Sequence, residues 1–292
     1  MTNTFIFGAG FSGLEIGRQL SAAGHAVAGT TRSVDKFDRL VAQGIEPFVF
    51  DGVNLSDTVL ARLETVTHLI MSIGPDEGGD PLVPLLGSQL RGALKNLQWI
   101  GYLSTVGVYG DHDGGWVDEE TVCKPVSQRS VQRLEAEKAW QEFANEAMVP
   151  LAILRLSGIY GPGRNTFVNL AKGTAKRIIK PNQVFNRIHV SDIARSVLHL
   201  SSQNTSGLFN VTDNEPAPPQ DVVTYVANLM GVTPPEEIAY DDANMSPMAH
   251  SFYGEVKKVS NAKLRGTGFE FNFPDYRIAM DAMWREGSWD RQ

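Results

Sequence analysis

Residues 4–13 read Thr4-Phe5-Ile6-Phe7-Gly8-Ala9-Gly10-Phe11-Ser12-Gly13. The first four form a short apolar run rich in strand formers, and the rest fits G-x-G-x-x-G. A helix-like segment follows, Leu14 to Ala23, with Leu14, Ile16, Gly17 and Leu20 as its small and apolar positions. Strand, glycine turn and helix in that order are what a dinucleotide site needs. Gly8 lets the chain turn off the strand. Gly10 lets a pyrophosphate approach the backbone, and Gly13 lets the helix pack closely on the sheet. Phe11 and Ser12 are the loop positions between the glycines and count with them as cofactor contacts, and the N-terminal N–H groups and dipole of the helix that follows favour phosphate. The alternative is a Gly-rich turn that binds nothing; a strand directly before and a helix directly after argue against it.

The second strand bears on which dinucleotide. Ala26 to Thr30 follows the Gly24-His25 turn and ends in Thr30-Thr31-Arg32-Ser33. A site for NAD usually has a carboxylate about twenty residues after the glycines, to hold the ribose 2′-OH. None occurs here before Asp35. Arg32 can instead make a forked, charge-assisted pair with a 2′-phosphate, and Thr31 or Ser33 can add hydroxyl bonds. NADP(H) is therefore favoured over NAD(H). The competing view is that Arg32 is a solvated surface arginine.

Strand-like and helix-like segments alternate onward. Phe48 to Phe50, His68 to Ile73, Gln98 to Ser104 and Leu151 to Leu156 read as strands three to six. Val59–Leu63, Leu82–Asn96 and Val131–Asn145 have helical character. Short, nearly continuous apolar runs of this kind predict a doubly wound parallel α/β sheet. Its ligand is expected at the carboxyl ends of the strands. Asp51 is placed there to accept from an adenine amino group, and Ser72, Ile73 and Gly74 to pass beside the adenosine ribose. Ser104 and Thr105 close the fifth strand, with Ser104 as a further expected cofactor contact. Beyond residue 156 the pattern changes: a Gly-Pro turn at 161–163, a helix after an N-cap at Ser191 or Asp192, a strand at 208–211, and a helix from Asp221 to Met230. Residues 232–250 read as loop, with one short helix near Ala262.

The 292 residues suffice for one large core or two modest domains. The net charge of −7 offers no basic excess for a nucleic-acid backbone. No apolar run approaches the ~20 residues of a membrane span, and no signal peptide is visible. Cys123 is the single cysteine, so neither an intramolecular disulfide nor a cysteine metal cluster is expected, and no metal site is assigned. A cytoplasmic setting follows, with a small molecule as the expected partner and neither nucleic acid nor membrane.

Four stretches in order carry a resemblance: the glycine loop; Tyr102-Leu103-Ser104-Thr105-Val106-Gly107-Val108-Tyr109-Gly110; Arg155 to Gly163; and Ile188-His189-Val190-Ser191-Asp192-Ile193-Ala194. The chain resembles the extended short-chain dehydrogenases/reductases of the NAD-dependent epimerase/dehydratase family. The resemblance implies a Rossmann domain over residues 1–156 plus about 186–202. It implies a smaller substrate domain over about 157–185 plus 203–292. Members act on nucleotide sugars and other small carbonyl or hydroxyl compounds. Many dimerise through helices like these, which makes a homodimer the candidate assembly.

One departure matters for chemistry. The family uses a Tyr-x-x-x-Lys pair on the helix after the fifth strand, registered here by Ala136-Glu137. That register puts Arg129 at the Tyr position and Arg133 at the Lys position, and no Tyr lies between Gly110 and Ile159. The family's Ser or Thr, four residues before Tyr109, is present as Thr105. Arg133 can still donate to ribose hydroxyls. Arg129 keeps its proton at neutral pH and can polarise a carbonyl or clamp an anion, not supply a proton. Tyr109, Tyr160, His189 and Asp111 are the remaining proton-transfer candidates, the first three with packing as the competing role. The acidic Gly-containing loop 111–120, carrying Trp116, suggests a mobile cover. Two functions from different classes stand: an NAD(P)-dependent oxidoreductase or epimerase with an atypical site, and an inactive NADP(H)-binding sensor. A subunit serving assembly alone is the third and weakest, because the glycine loop is intact.

Overall fold

The computed structural model describes residues 2–76 and 78–291. Seven strands form the central sheet: β1 (Asn3–Phe7), β2 (Ala26–Thr31), β3 (Glu46–Val49), β4 (His68–Met71), β5 (Trp99–Thr105), β6 (Leu151–Leu156) and β7 (Gly207–Val211). Their order is β7-β6-β5-β4-β1-β2-β3. The β1–β2, β1–β4, β2–β3 and β4–β5 ladders are parallel. This is the doubly wound Rossmann arrangement, with its direction reversing between β1 and β4.

Alternation along β1 explains why both faces of the sheet are covered. Phe5 and Phe7 turn to one face, where their rings meet Phe48 and Phe50 at 5.8 and 5.6 Å. Ile6 turns to the other face, against helix α1 (Phe11–Ala22). A Cβ on Gly17 of that helix would lie 2.4 Å from Ile45 Cδ1 and 3.3 Å from Ile6 Cδ1, so glycine sets how closely α1 packs. The long helix α2 (Gln128–Ala147) starts on Ser127, whose hydroxyl accepts from Ser130 N–H. It buries Ala136, Trp140, Phe143 and Ala144. Its solvent side carries Glu135, Lys138, Gln141, Glu142, Asn145 and Glu146, which offers a partner helix charge and no apolar seam.

The chain divides into two units: 1–108, 127–155 and 193–209 in the first, and 109–126, 156–192 and 210–292 in the second. Residues 109–126 and 186–192, expected with the nucleotide half, group with the second unit. Residues 203–209 group with the first. The second unit has its own core of Tyr160, Phe167, Val222, Val226, Tyr276, Ala279 and Met280.

Four local expectations need correction. The stretch expected as one helix over 82–96 is instead a 3₁₀ turn (Val83–Leu85), a π turn (Leu86–Leu90) and a short α turn (Arg91–Ala93). Pro84, Gly87 and Gly92 interrupt regular winding, while Leu82, Leu86 and Leu90 still reach the core. Ser191 and Asp192 do not cap their helix, which begins at Val190. Asp192 accepts from the N–H groups of Asn272 and Phe273 instead, both at 2.9 Å. Residues 237–239 of the loop expected over 232–250 are a strand, and a helix begins within it at 247 and runs to 253. A helix absent from the expectation runs from Tyr276 to Arg285, capped by Asp275.

Candidate functional site

The glycine loop leaves the carboxyl end of β1. Gly8 has φ +91°, and a Cβ there would lie 2.8 Å from Ile73 Cγ1. A Cβ on Gly13 would lie 2.3 Å from the Gly8 carbonyl oxygen. Both glycines are therefore required by the protein's own packing. Gly10 differs: a Cβ there meets nothing within 4 Å. The loop is held from the side by Thr30. Its hydroxyl accepts from Gly8 N–H at 2.9 Å, and its carbonyl accepts from Ala9 N–H at 2.8 Å. Helix α1 then begins with Phe11 and the buried Ser12. It has no side-chain cap and no acidic residue in its first turn, so the positive end of its dipole is uncompensated.

At the end of β2, Thr31 is buried and Arg32 is exposed. Arg32 forms no ion pair among the described residues. Asp35, the first carboxylate after the strand, is hydrogen-bonded by the Ser33 hydroxyl, which holds its carboxyl below the usual range. After β3, Asp51 Oδ1 accepts from Val53 N–H at 2.9 Å and Asn54 N–H at 3.3 Å, and these bonds lower its carboxyl. One of its oxygens is thus committed to a turn. After β4, Ser72 N–H continues the ladder to Phe7 O at 2.8 Å, Ile73 packs against the core and Gly74 is exposed.

At the end of β5 two neighbouring hydroxyls part ways. Ser104 is buried and donates to Glu137, which also takes a two-pronged bond from Arg155: Nη2 to Oε2 at 2.7 Å and Nε to Oε1 at 3.1 Å. Ser104 was expected beside the cofactor; its hydroxyl instead serves this buried ion pair. Thr105 is half-buried, and its oxygen accepts from Gly107 N–H at 3.1 Å, which leaves its own proton free to donate. On α2, Arg129 is exposed, with no hydrogen bond or ion pair among the described residues. Arg133 reaches the strand ends: Nη1 donates to Leu103 O at 2.7 Å, and a Cβ on Gly74 would lie 3.1 Å from Nη2. The structure brings Gly74, Thr105 and Arg133 to the carboxyl ends of β4 and β5.

The second unit disposes of the other proton-transfer candidates. Tyr109 is fully buried and donates to Asn210 Oδ1 at 2.7 Å, so its expected catalytic hydroxyl is consumed in packing. Burial pushes the Tyr160 hydroxyl well above its ordinary value. His189 is buried with its ring against Tyr160 and Phe273, and its Nδ1 accepts from Ser191 N–H. Asp111 accepts from Val256 N–H at 2.7 Å. That bond belongs to a staple: His112 and Gly114 also donate to Val256 O, and Trp116–Val117 pairs with Lys258–Val259. The acidic loop is therefore tied down rather than mobile. The roles of Thr30, Glu137 and Arg155 were not expected; a polar residue closing an apolar strand is the one signal that points to Thr30. Among the described residues, no group of three or more His, Cys, Asp or Glu is placed to hold a metal ion, and no helix is long and apolar enough to cross a membrane.

A doubly wound sheet with an open-sided glycine turn at its switch point defines a nucleotide-binding α/β protein. The model of the NAD dependent epimerase/dehydratase family matches residues 5–212. The chain belongs to that family. A solved structure of a protein of unknown function from Silicibacter pomeroyi is 40% identical, covers 98% of this chain and 99% of its own, and superposes with a TM-score of 0.89. Protein YeeZ of Escherichia coli K12 is 27% identical over 288 residues, 94% of this chain and 97% of that one. MoeE5, solved in complex with UDP-glucuronic acid and NAD, shares the fold at 20% identity and a TM-score of 0.79, over 98% of this chain and 99% of its own.

Proposed function

We propose that the chain is an NADP(H)-preferring oxidoreductase or epimerase acting on a small anionic substrate, a sugar nucleotide being the leading class. One observation carries the reading: of the loop's three glycines, only Gly10 lacks a neighbour where its side chain would be. Gly8 and Gly13 are explained by folding; Gly10 is explained by a ligand that lies on the backbone. The residues present fit a dinucleotide. The pyrophosphate would lie on the start of α1, Arg32 would pair with a 2′-phosphate, and Arg133 would donate to the nicotinamide-side ribose. Arg32 supports the phosphate over a bare 2′-OH because the strand end, Thr30-Thr31-Arg32-Ser33, carries no carboxylate.

A nicotinamide dinucleotide, when bound, supplies or takes a hydride. The chain's own residues then orient and polarise. The Thr105 proton is available to a substrate oxygen. Arg129, exposed and with no hydrogen bond or ion pair among the described residues, meets a carboxylate or phosphate, and it holds its proton at neutral pH. That charge is the reason for an anionic substrate, and the UDP-sugar bound by MoeE5 belongs to the same class.

The second reading is a sensor that holds NADP(H) without turnover. It is favoured by the commitment of Tyr109 to Asn210 and by Arg129 standing at the position of the family's catalytic Tyr. The deciding experiment is incubation with NADPH or NADP⁺ and a panel of UDP-sugars and small keto acids, followed by nicotinamide absorbance and by chromatography of the sugars. Turnover that falls on Arg129→Ala supports the enzyme. Tight NADPH binding without conversion of any anionic substrate supports the sensor.

A further inference from the structure

Ser130 stands one position beyond Arg129 and is only 7% exposed. It is the third residue after Ser127, the N-cap of α2. Ser127 Oγ accepts from Ser130 N–H at 3.2 Å and donates its own proton to Ser130 Oγ at 2.9 Å. Capping needs only the first of these bonds. In a capping box the third side chain reaches back to the N-cap N–H, and that bond is not formed here among the described residues. A hydroxyl has one proton to give. With that of Ser127 given to Ser130, the Ser130 proton has no acceptor among the described residues.

Gly107 shows what the Ser130 hydroxyl faces. A Cβ there would lie 2.9 Å from Ser130 Oγ and 3.4 Å from Thr105 Oγ1. Any larger residue would push the Ser130 hydroxyl away, so glycine lets both hydroxyls close on one point at the end of β5. Arg133, on the next turn of α2, reaches the same strand end through Leu103 O at 2.7 Å. The two hydroxyls differ in what stands behind them. Thr105 Oγ1 accepts from Gly107 N–H, an amide that holds its proton. Ser130 Oγ accepts from a hydroxyl, and the half-buried Ser127 can pass that proton on and be refilled from solvent. Both serine oxygens sit at the start of a 20-residue helix whose first turn carries no acid, so the positive end of its dipole lowers the cost of negative charge on them.

We propose that Ser130 is the catalytic residue that gives a proton to the reacting oxygen of the substrate, or takes one from it, with Ser127 as its relay, in place of the tyrosine for which Arg129 stands. This rests on the enzyme reading given above. In carbonyl reduction the substrate O–H bond forms as the Ser130 O–H bond breaks. Ser130 Oγ takes the Ser127 proton, and Ser127 takes one from water, so one solvent proton is consumed per carbonyl. The electron pair arrives as the hydride that a nicotinamide supplies when bound. Alcohol oxidation runs the same transfers backward. Thr105 donates a second hydrogen bond to the same oxygen and keeps its proton.

The test compares wild type, Ser130→Ala and Ser127→Asp on whichever UDP-sugar or keto acid wild type converts. Asp at 127 still caps the helix, but at neutral pH it has no proton to give. Ser130→Ala should lower the single-turnover rate about a hundredfold or more, the contribution of a positioned acid–base group. Its KM and its calorimetric affinity for NADPH should stay within about twofold of wild type. Ser127→Asp should slow turnover in the same way, with NADPH affinity kept. An unchanged rate in Ser130→Ala would mean no role, and a loss of KM and NADPH affinity in step with the rate would mean a merely structural one; either overturns the proposal. If Ser130→Ala fails to fold, Ser127→Asp carries the test, and an unchanged rate there overturns the relay. Wild-type turnover that neither serine affects sinks this proposal alone. A wild type that binds NADPH and converts nothing sinks the enzyme reading and this proposal with it.

Discussion

Alanine at Gly13 and alanine at Gly10 should separate folding from binding within one loop. At Gly13 the new Cβ would lie 2.3 Å from the Gly8 carbonyl oxygen and 3.3 Å from Ile6 Cγ2, where ordinary contact begins near 3.4 Å. Either α1 or the loop must move by about 1 Å in a region packed on both sides. The loop cannot yield easily, because Gly8 is already at φ +91° against Ile73. Overpacking of this kind costs about 2–3 kcal/mol. At about 2–4 °C per kcal/mol, Tm should fall by several degrees. Gly10 has φ −84° and ψ −145° with open space beyond it, so Ala there meets no clash and costs about 1–2 kcal/mol from the backbone alone. Its methyl group, however, stands where a pyrophosphate would lie, and NADPH affinity should drop at least tenfold, about 1.4 kcal/mol or more. Thermal unfolding and NADPH titration on the same preparations give both readouts. The reasoning is refuted if Gly10→Ala binds NADPH as wild type does, or unfolds as early as Gly13→Ala.

Other perturbations follow from the same geometry. Glu137→Gln breaks the buried ion pair with Arg155, so denaturant unfolding should show a loss of about 3–5 kcal/mol; a loss under about 1 kcal/mol would contradict the burial argument. Tyr109→Phe should cost about 1–3 kcal/mol by stranding Asn210 Oδ1, with NADPH affinity and any turnover retained; lost turnover in a folded variant would restore Tyr109 to the chemistry. Asp213 is buried, and its carboxyl is pushed up to about 8 from 3.8, burial outweighing the pull of Arg187. The folded state therefore holds a proton that the unfolded state has already released, and stability should decline as pH rises from about 4 to 8, by about 1.4 kcal/mol per pH unit at most. Asp213→Asn should flatten Tm over that window; an unchanged profile would show that Asp213 titrates normally.

The parts of this protein that could be read in its sequence are those built from local pattern. The β1–glycine–α1 unit is legible because ten consecutive positions, 4–13, give an apolar strand and then the spaced glycines of a phosphate-binding turn. The sheet is legible because its strands are short apolar runs with helices between them. The helix from Tyr276 was missed although it carries local signs, the Asp275 cap and the spacing of Tyr276, Ala279, Met280 and Met283, because the aromatic and Gly-rich residues before it hid the change of period. The broken turns over 83–93 look helical because their leucines are spaced to reach the core; only the packing shows how Pro84, Gly87 and Gly92 divide them. The staple on the acidic loop joins Asp111 to Val256, and Asp80 meets Trp140 across sixty positions. Contacts of that range leave no local mark in a single chain. Ser104 shows the same limit at close quarters: residue type and strand position suit a ligand, and only the three-dimensional neighbour, Glu137, reveals where the hydroxyl points.

The most direct measurement is calorimetric titration of the purified chain with NADPH and with NADH, repeated on Arg32→Ala. The account predicts that NADPH binds more tightly than NADH in the wild type, by about tenfold or more for a forked arginine–phosphate pair. It also predicts that the difference disappears in Arg32→Ala while NADH affinity stays the same. Equal affinity for the two nucleotides would contradict the role of Arg32, and no binding of either would contradict the dinucleotide site itself.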